Sequence, residues 1–336
     1  MPRFVRLVAC CLVFCAVAAL AQGTSAPGGA VVGLNYSEPS LAFQVAPGQV
    51  VSLMVYGLDY RVTQPVQASG PSLPYSLAGF SVIFRGPVFP PQFPEPPNVP
   101  VPMLGIEQTA CLTASIGPCA TLTNIVIQVP YESLPDCIVC LGPPSARYFL
   151  ISDNGQVKAT VAVDVPGDQI HVITSQDSTF QPFQSPTQLI LWSKAIFHGD
   201  GTPVDSATAG EELVAYAFGL GLTDPSVKTG QKTPVSGVSF DPTKPLDDYG
   251  IKLYLDFRPN APPSRPPVMA PNSALVAAKY IGLVGGSVGL YQVNFTVPPV
   301  PAGTPPCNHG DIQSNLTVNL VGTWSFDGGG ICVSPR

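Results

Sequence analysis

The sequence predicts an all-β protein: two tandem β-sandwich domains related by an internal duplication, with long proline-rich loops. Three observations carry this. Helical periodicity is almost absent along the 336 residues. Short strand-like runs bounded by Gly, Pro, Asn or Asp recur throughout, as expected for β-strands closed by turns. The same phrases also return in the same order in the two halves of the chain, 162 to 168 residues apart.

The N-terminus comes first. Arg3 and Arg6 precede an apolar run from Leu7 to Leu20, followed by Ala19-Leu20-Ala21. That is the charged, apolar and small-residue order of a secretory signal peptide, here 1–21 with cleavage after Ala21. The apolar run is shorter than the roughly 20 residues a spanning helix needs. Residues 22–44 form an N-terminal segment ahead of the first domain, 45–169. In that domain Val50 to Tyr56, VVSLMVY, closes on Gly57-Leu58. Next comes GFSVIFR at Gly79 to Arg85, and then a proline-rich loop from Gly86 to Pro102. NIVIQVP at Asn124 to Pro130 follows. A last hairpin, Tyr148 to Val163, turns on Asn154-Gly155, a strong two-residue turn signal.

The second domain, 209–336, repeats that order. ELVAYAF at Glu212 to Phe218 closes on Gly219-Leu220, with Gly48 matching Gly210 and Gly57 matching Gly219 at an offset of 162. GIKLYLD at Gly250 to Asp256 leads into a proline loop, Arg258 to Pro271. YQVNFTVPP ends on Pro298 and Pro299 as NIVIQVP ends on Pro130, now at an offset of 168. The last hairpin is Ser314 to Val333. Proline cannot continue a central strand, so each proline stretch marks a loop or an edge. Between the domains lies a connector, 170–208, whose Ile190, Leu191, Trp192, Ile196 and Phe197 are apolar enough to pack against both. The two halves are therefore expected to form a rigid pair.

Composition excludes some function classes. Without the leader's two arginines the chain has 13 basic and 21 acidic residues, so its formal charge is 13 − 21 = −8. No Lys/Arg cluster is present, so nucleic acid and anionic membranes are poor partners. No apolar run in the mature chain is long enough to span a bilayer. Charged residues make up 11% of the chain and hydrophobic residues 45%, which with 40 prolines and 32 glycines fits folded β domains joined by turns and loops. The six cysteines beyond the leader are Cys111, Cys119, Cys137, Cys140, Cys307 and Cys332. An even number in an exported chain reads as a disulfide framework. Pairing each with its nearest unused neighbour gives Cys111–Cys119, Cys137–Cys140 and Cys307–Cys332.

Each half also resembles an immunoglobulin-like domain of the type found in plexins and Rel-class transcription factors. The phrases are APGQVVSLMVYGL, a VIF-type strand, NIVIQVP and a strand turning on NG. The pair is similar to a module common at the C-termini of exported acidobacterial proteins. That likeness rests on AGEELVAYAFGLG, HGDGTPV and VGLYQVNFTVP. It implies tandem immunoglobulin-like sandwiches that are exported or at the cell surface. It supplies no catalytic residue. The proline loops and the cysteines depart from the pattern.

The candidate chemistry is sparse. Cys137-Ile-Val-Cys140 has redox spacing, but without the βαβ context of a thiol oxidoreductase it reads as a structural disulfide. His171, His198 and His309 do not fall in metal-ligand spacing. His198 sits in FHGDGTP, where Asp200-Gly201 supplies a turn. His198 and Asp200 form a candidate polar site. Asp247-Asp248 is a thin candidate for calcium. Phe89 and Phe93 in the first proline loop are candidates for an exposed binding edge. No GxSxG occurs, and no cofactor or metal is expected. The Asn-x-Ser/Thr triplets at Asn35, Asn294 and Asn315 matter only in a glycosylating host. The expectation is a non-enzymatic protein acting in adhesion, surface assembly or ligand binding, with a cell-surface protein or glycan as partner. An exported hydrolase or carbohydrate-active protein with a dispersed site, and a purely structural spacer, are the alternatives.

Overall fold

The computed structural model describes residues 30–34, 44–86, 98–109, 121–133, 147–173, 196–239, 251–260, 274–308 and 310–334. Within them the protein is all-β, with several antiparallel sheets, and its only helical piece is a single 3-10 turn at Tyr131–Ser133. The first half carries β1 (Ala30–Leu34), β2 (Val50–Tyr56), β3 (Val66–Gln67), β4 (Ser76–Leu77), β5 (Phe80–Arg85), β6 (Val99–Val101), β7 (Met103–Thr109), β8 (Leu122–Gln128), β9 (Arg147–Asp153) and β10 (Gln156–Val163). The second carries β11 (His171–Val172), β12 (Ile196–His198), β13 (Ala207–Thr208), β14 (Glu212–Phe218), β15 (Val238–Ser239), β16 (Lys252–Asp256), β17 (Ala274–Val276), β18 (Tyr280–Leu283), β19 (Tyr291–Thr296), β20 (Leu316–Val321), β21 (Phe326–Ile331) and β22 (Val333–Ser334).

The first half is two facing sheets. One runs β1-β2-β8-β7-β3, the other β10-β9-β5-β4, with β6 also on β5. Their inward residues alternate with outward ones, as a pleated strand requires. Val51, Leu53, Val55, Ile125 and Ile127 from one sheet meet Phe80, Val82, Phe84, Phe149 and Ile151 from the other in a single buried core. Phe84 and Phe149 pack edge to face at 5.7 Å. The second half is built alike. Leu213, Ala215, Ala217, Val293 and Phe295 face Leu253, Leu255, Val318 and Leu320 across its core.

The neighbour order is the same in both halves. The series β2-β8-β7-β3 recurs as β14-β19-β18-β15, and β10-β9-β5 with β6 recurs as β21-β20-β16 with β17. The register recurs too. Val50 opposes Gln128, and Glu212 opposes Thr296, displaced by the same 162 and 168 residues that separate the sequence phrases. Each long strand is entered through the same turn. Gly48 N–H donates to Val129 O and Gly210 N–H to Val297 O, both at about 2.9 Å or less. The Gln49 carboxamide caps Ala46 N–H at 2.7 Å, and the Glu211 carboxylate caps Thr208 N–H at 3.0 Å. Gly48 and Gly210 hold φ at 74° and 85°, the left-handed region where a side chain is strained. Just ahead of this turn each chain pairs in parallel with its domain's last strand, Gln44 with Asp164 in one half and β13 with β22 in the other.

Three features depart from the sequence reading. β7 and β18 are strands that the phrase order lacks, each lying between a proline loop and the strand that ends in Val-Pro. The first proline stretch, read as loop from Gly86 to Pro102, ends in β6, an edge strand that contains Pro100. The connector, expected to pack against both domains, contributes strands at its described ends. β11 and β12 both pair antiparallel with β14, on the edge that corresponds to β1 on β2.

Candidate functional site

The outer face of the β2–β8 sheet is where the two halves meet. Strand β8 is buried on both faces along its whole length. Its Ile125 and Ile127 point to the core, while Asn124, Val126 and Gln128 point outward. Val50 and Val126 join Leu73, Phe218 and Val288 in a second buried cluster drawn from both halves. Polar contacts fasten the same seam. Leu73 N–H donates to Gly230 O at 2.7 Å, and Gly230 N–H donates to the Gln128 carboxamide oxygen at 2.7 Å. Tyr131 N–H donates to the Thr229 hydroxyl at 2.9 Å, and that hydroxyl donates to Glu132 at 2.6 Å. Gln49 Nε2 donates to the Gln169 carbonyl, just ahead of the connector, at 3.2 Å. Two phenols meet here as well. Burial pushes Tyr131 up to about 12, and burial beside Tyr131 raises Tyr291 well above its ordinary value.

The seam does not close completely. It leaves a cleft of about 420 Å³ bounded by β3, β7 and β8 on one side and by the loop at 286–290 on the other. Its walls are apolar: Val66, Leu73, Leu104, Val126, Val288 and Leu290. Its polar groups are Glu107, Asn124, Lys232, Gln67 and Ser287. Glu107 and Asn124 are directly opposed across β7 and β8, so their side chains stand together on the outer face. Burial raises the Glu107 carboxyl above its ordinary range. The Ser287 hydroxyl is already engaged, donating to Val284 O at 2.6 Å. Asn124 is 4% exposed, and its Oδ1 has no hydrogen-bond partner among the described residues. Among the described residues Glu107 is the single carboxylate of the cleft, and neither histidine nor cysteine lines it. This arrangement offers shape and apolar surface. It does not bring together the pair of carboxylates that glycoside hydrolysis uses.

Among the described residues, the candidates His198 and Asp200 do not line this cleft. His198 ends β12 and starts a tight hairpin: Gly201 N–H donates to His198 O, and His198 N–H donates to Thr202 O. Asp200 accepts from the Thr202 hydroxyl at 2.6 Å and the Thr202 amide at 2.9 Å, and these bonds hold its carboxylate below the ordinary value. His198 Nδ1 lies 2.7 Å from Glu211 Oε1, whose carboxylate also caps Thr208. The cluster therefore joins the turn to the entry of β14. His171 is buried, with Nδ1 3.2 Å from Asp327 Oδ2. Asn315 uses its side chain to pair with Val333 at 2.8 and 2.9 Å, inside the sheet. Phe89, Phe93, Asp247, Asp248, His309, Asn35, Cys111, Cys119, Cys137 and Cys140 lie outside the described residues.

Cys307 and Cys332 form a disulfide, with Cα atoms 5.8 Å apart. It ties the loop after β19 to the residue before β22. Releasing a loop of 25 residues' separation removes a constraint on the unfolded chain, so reduction is expected to cost about 3 kcal/mol. Melting curves with and without reductant test this, and an unchanged midpoint contradicts it.

No family model matches the sequence, and no curated protein matches it.

Proposed function

We propose that this chain is an exported, non-enzymatic binding protein, built from two immunoglobulin-like sandwiches that arose by internal duplication. It acts in adhesion, surface assembly or ligand capture, with a cell-surface protein or glycan as partner. The observation that carries this reading is the fastened seam between the halves. Recognition by loops needs a rigid scaffold beneath them, and hydrogen bonds and apolar packing hold the two sandwiches in one relation. The shared strand order and the 162/168 register support the duplication. The two arginines, the apolar run and Ala19-Leu20-Ala21 support export. A disulfide is compatible with an oxidising compartment.

The test is retention of the chain, from Gln22 onward, on a glycan array and on native envelope protein. Saturable binding to one defined glycan or protein is the expected result. Absence of saturable retention, together with turnover of a hydrolase substrate, contradicts the proposal.

A further inference from the structure

We propose that the outer face of the β14–β19 sheet binds a glycan chain, with Tyr216 and Tyr280 packing against sugar rings and Gln292 and Asn294 hydrogen-bonding to sugar hydroxyls. This rests on the reading above and moves recognition from the loops to a sheet face of the second sandwich.

The repeated architecture supplies an internal comparison. The two halves share strand order and register, so the β14–β19 face is the counterpart of the β2–β8 face at the seam. There the centre is apolar, anchored by Val50 and Val126. The offsets of 162 and 168 put Glu212 where the first half has Val50, and Asn294 where it has Val126. Docking a protein domain calls for an apolar centre. The second face has a carboxylate and a carboxamide in place of those anchors. Phe218 is buried in the seam, and Tyr216, Val214 and Glu212 follow it on the same side of β14 as the face leaves the seam.

Rings and amides are interleaved on this face. Tyr216 directly opposes Gln292, and Tyr280 directly opposes Asn294. The amides therefore lie on β19 between a ring on β14 and a ring on β18, two strand spacings or about 10 Å apart across the sheet. Phe197 on β12 packs edge to face on Tyr216 at 5.4 Å and braces that ring. Gln292 Nε2 donates to Asn294 Oδ1 at 2.8 Å. The Asn294 side chain hydrogen-bonds the Glu212 carboxylate, which also accepts from Lys279 Nζ at 2.7 Å. This polar line is ordered and still meets solvent. The Glu212 and Lys279 side chains are 47% and 54% exposed, and Tyr216, Tyr280, Gln292 and Asn294 are half-buried. A sugar presents C–H groups on its ring faces and hydroxyls around its edge. It is matched by aromatic surface set beside groups that both donate and accept hydrogen bonds.

The test is calorimetric titration of the chain from Gln22 onward with cellohexaose, xylohexaose, mannohexaose and chitohexaose. Saturable binding of at least one of them is expected. Tyr216→Ala and Gln292→Ala should each weaken it about three- to tenfold, the range of one ring contact or one net hydrogen bond. Tyr75→Ala, which removes an exposed ring of the first half, should leave it unchanged. Should Tyr216→Ala fail to fold, the Gln292 and Asn294 carboxamide resonances of the unmodified chain decide, and they should shift on adding the bound sugar. Unmoved resonances, unchanged affinity in both variants, or no binding of any of the four sugars overturns the proposal. So does self-association of the chain that Tyr216→Ala abolishes, which would make this face a contact between copies. Retention on envelope protein without sugar binding sinks this proposal and leaves the broader reading standing, whereas absence of all retention sinks both.

Discussion

Replacing Asp168 with alanine is expected to destabilise the second sandwich by about 4 kcal/mol, lowering its melting temperature by roughly 10 °C. Asp168 lies at the end of the first domain, two residues before the connector, and is 6% exposed. Its carboxylate accepts from Thr323 N–H at 2.7 Å, Trp324 N–H at 3.1 Å, Ser325 N–H at 2.8 Å and the Ser325 hydroxyl at 2.9 Å. These donors belong to the turn joining β20 to β21. The equivalent turn of the first half is Asn154-Gly155, with φ of 48° and 78°, which closes its hairpin by backbone geometry alone. The second half has the longer turn Gly322–Ser325, whose amides point at one carboxylate. Alanine would leave three backbone donors without their acceptor at a largely buried site, and charge-assisted bonds are the stronger kind. Asp168→Asn keeps the shape but loses the charge, and should cost about half as much. Calorimetry decides. A midpoint for Asp168→Ala within about 2 °C of the parent would show that the turn does not need this carboxylate.

Gly289→Ala is expected to uncouple the halves. Gly289 has φ of 63°, and a Cβ built on it would stand 2.2 Å from the carbonyl oxygen of Gly48 in the other half. The left-handed conformation costs an alanine about 1–2 kcal/mol, and the backbone overlap adds about 1–3 kcal/mol. The nearest relief is separation at the seam, because the obstructing atom is backbone rather than the end of a flexible side chain. The variant should keep its β-sheet circular dichroism and unfold in two transitions where the parent is expected to show one. Gly286→Ala is the control. Gly286 has φ of 75° but open space around its Cβ, so it pays only the backbone strain and should retain a single transition. A single transition for Gly289→Ala would mean the seam yields locally and the halves stay joined.

Much of the fold was legible from the sequence, because strand phrases and their punctuation are local signals. Gly57 and Gly219, Val129-Pro130 and Val297-Pro298 set the ends of matched strands, and the observed register follows their spacing. Cys307–Cys332 and the Asp200-Gly201 turn were legible for the same reason. β7 and β18 were not. Met103–Thr109 contains Gly105, Glu107 and Gln108 and lacks a clean alternation, because a bulge near Met103 shifts its register. β11 is two residues long and gains its identity only from pairing with β14. The cleft was least legible of all. Leu73 and Val126 of the first half are far in sequence from Val288 of the second, and they meet only when the halves dock. One local clue existed: Asn124, Val126 and Gln128 form an outward face with an apolar centre, which is unusual for a strand face left in water. By contrast, Phe89 and Phe93 in the first proline loop give a local sequence signal for binding, because loops on a rigid scaffold commonly carry recognition.

The central claim is that the two sandwiches are held as one unit around the cleft, and hydrogen exchange at three amides tests it most directly. Leu73, Tyr131 and Gly230 donate their amide hydrogens across the seam. If the halves are fastened, these amides are protected to a degree comparable with the core strand amides of β2, such as Leu53. If instead the three exchange at the rate of open loops while Leu53 stays protected, the halves move freely and the account is wrong.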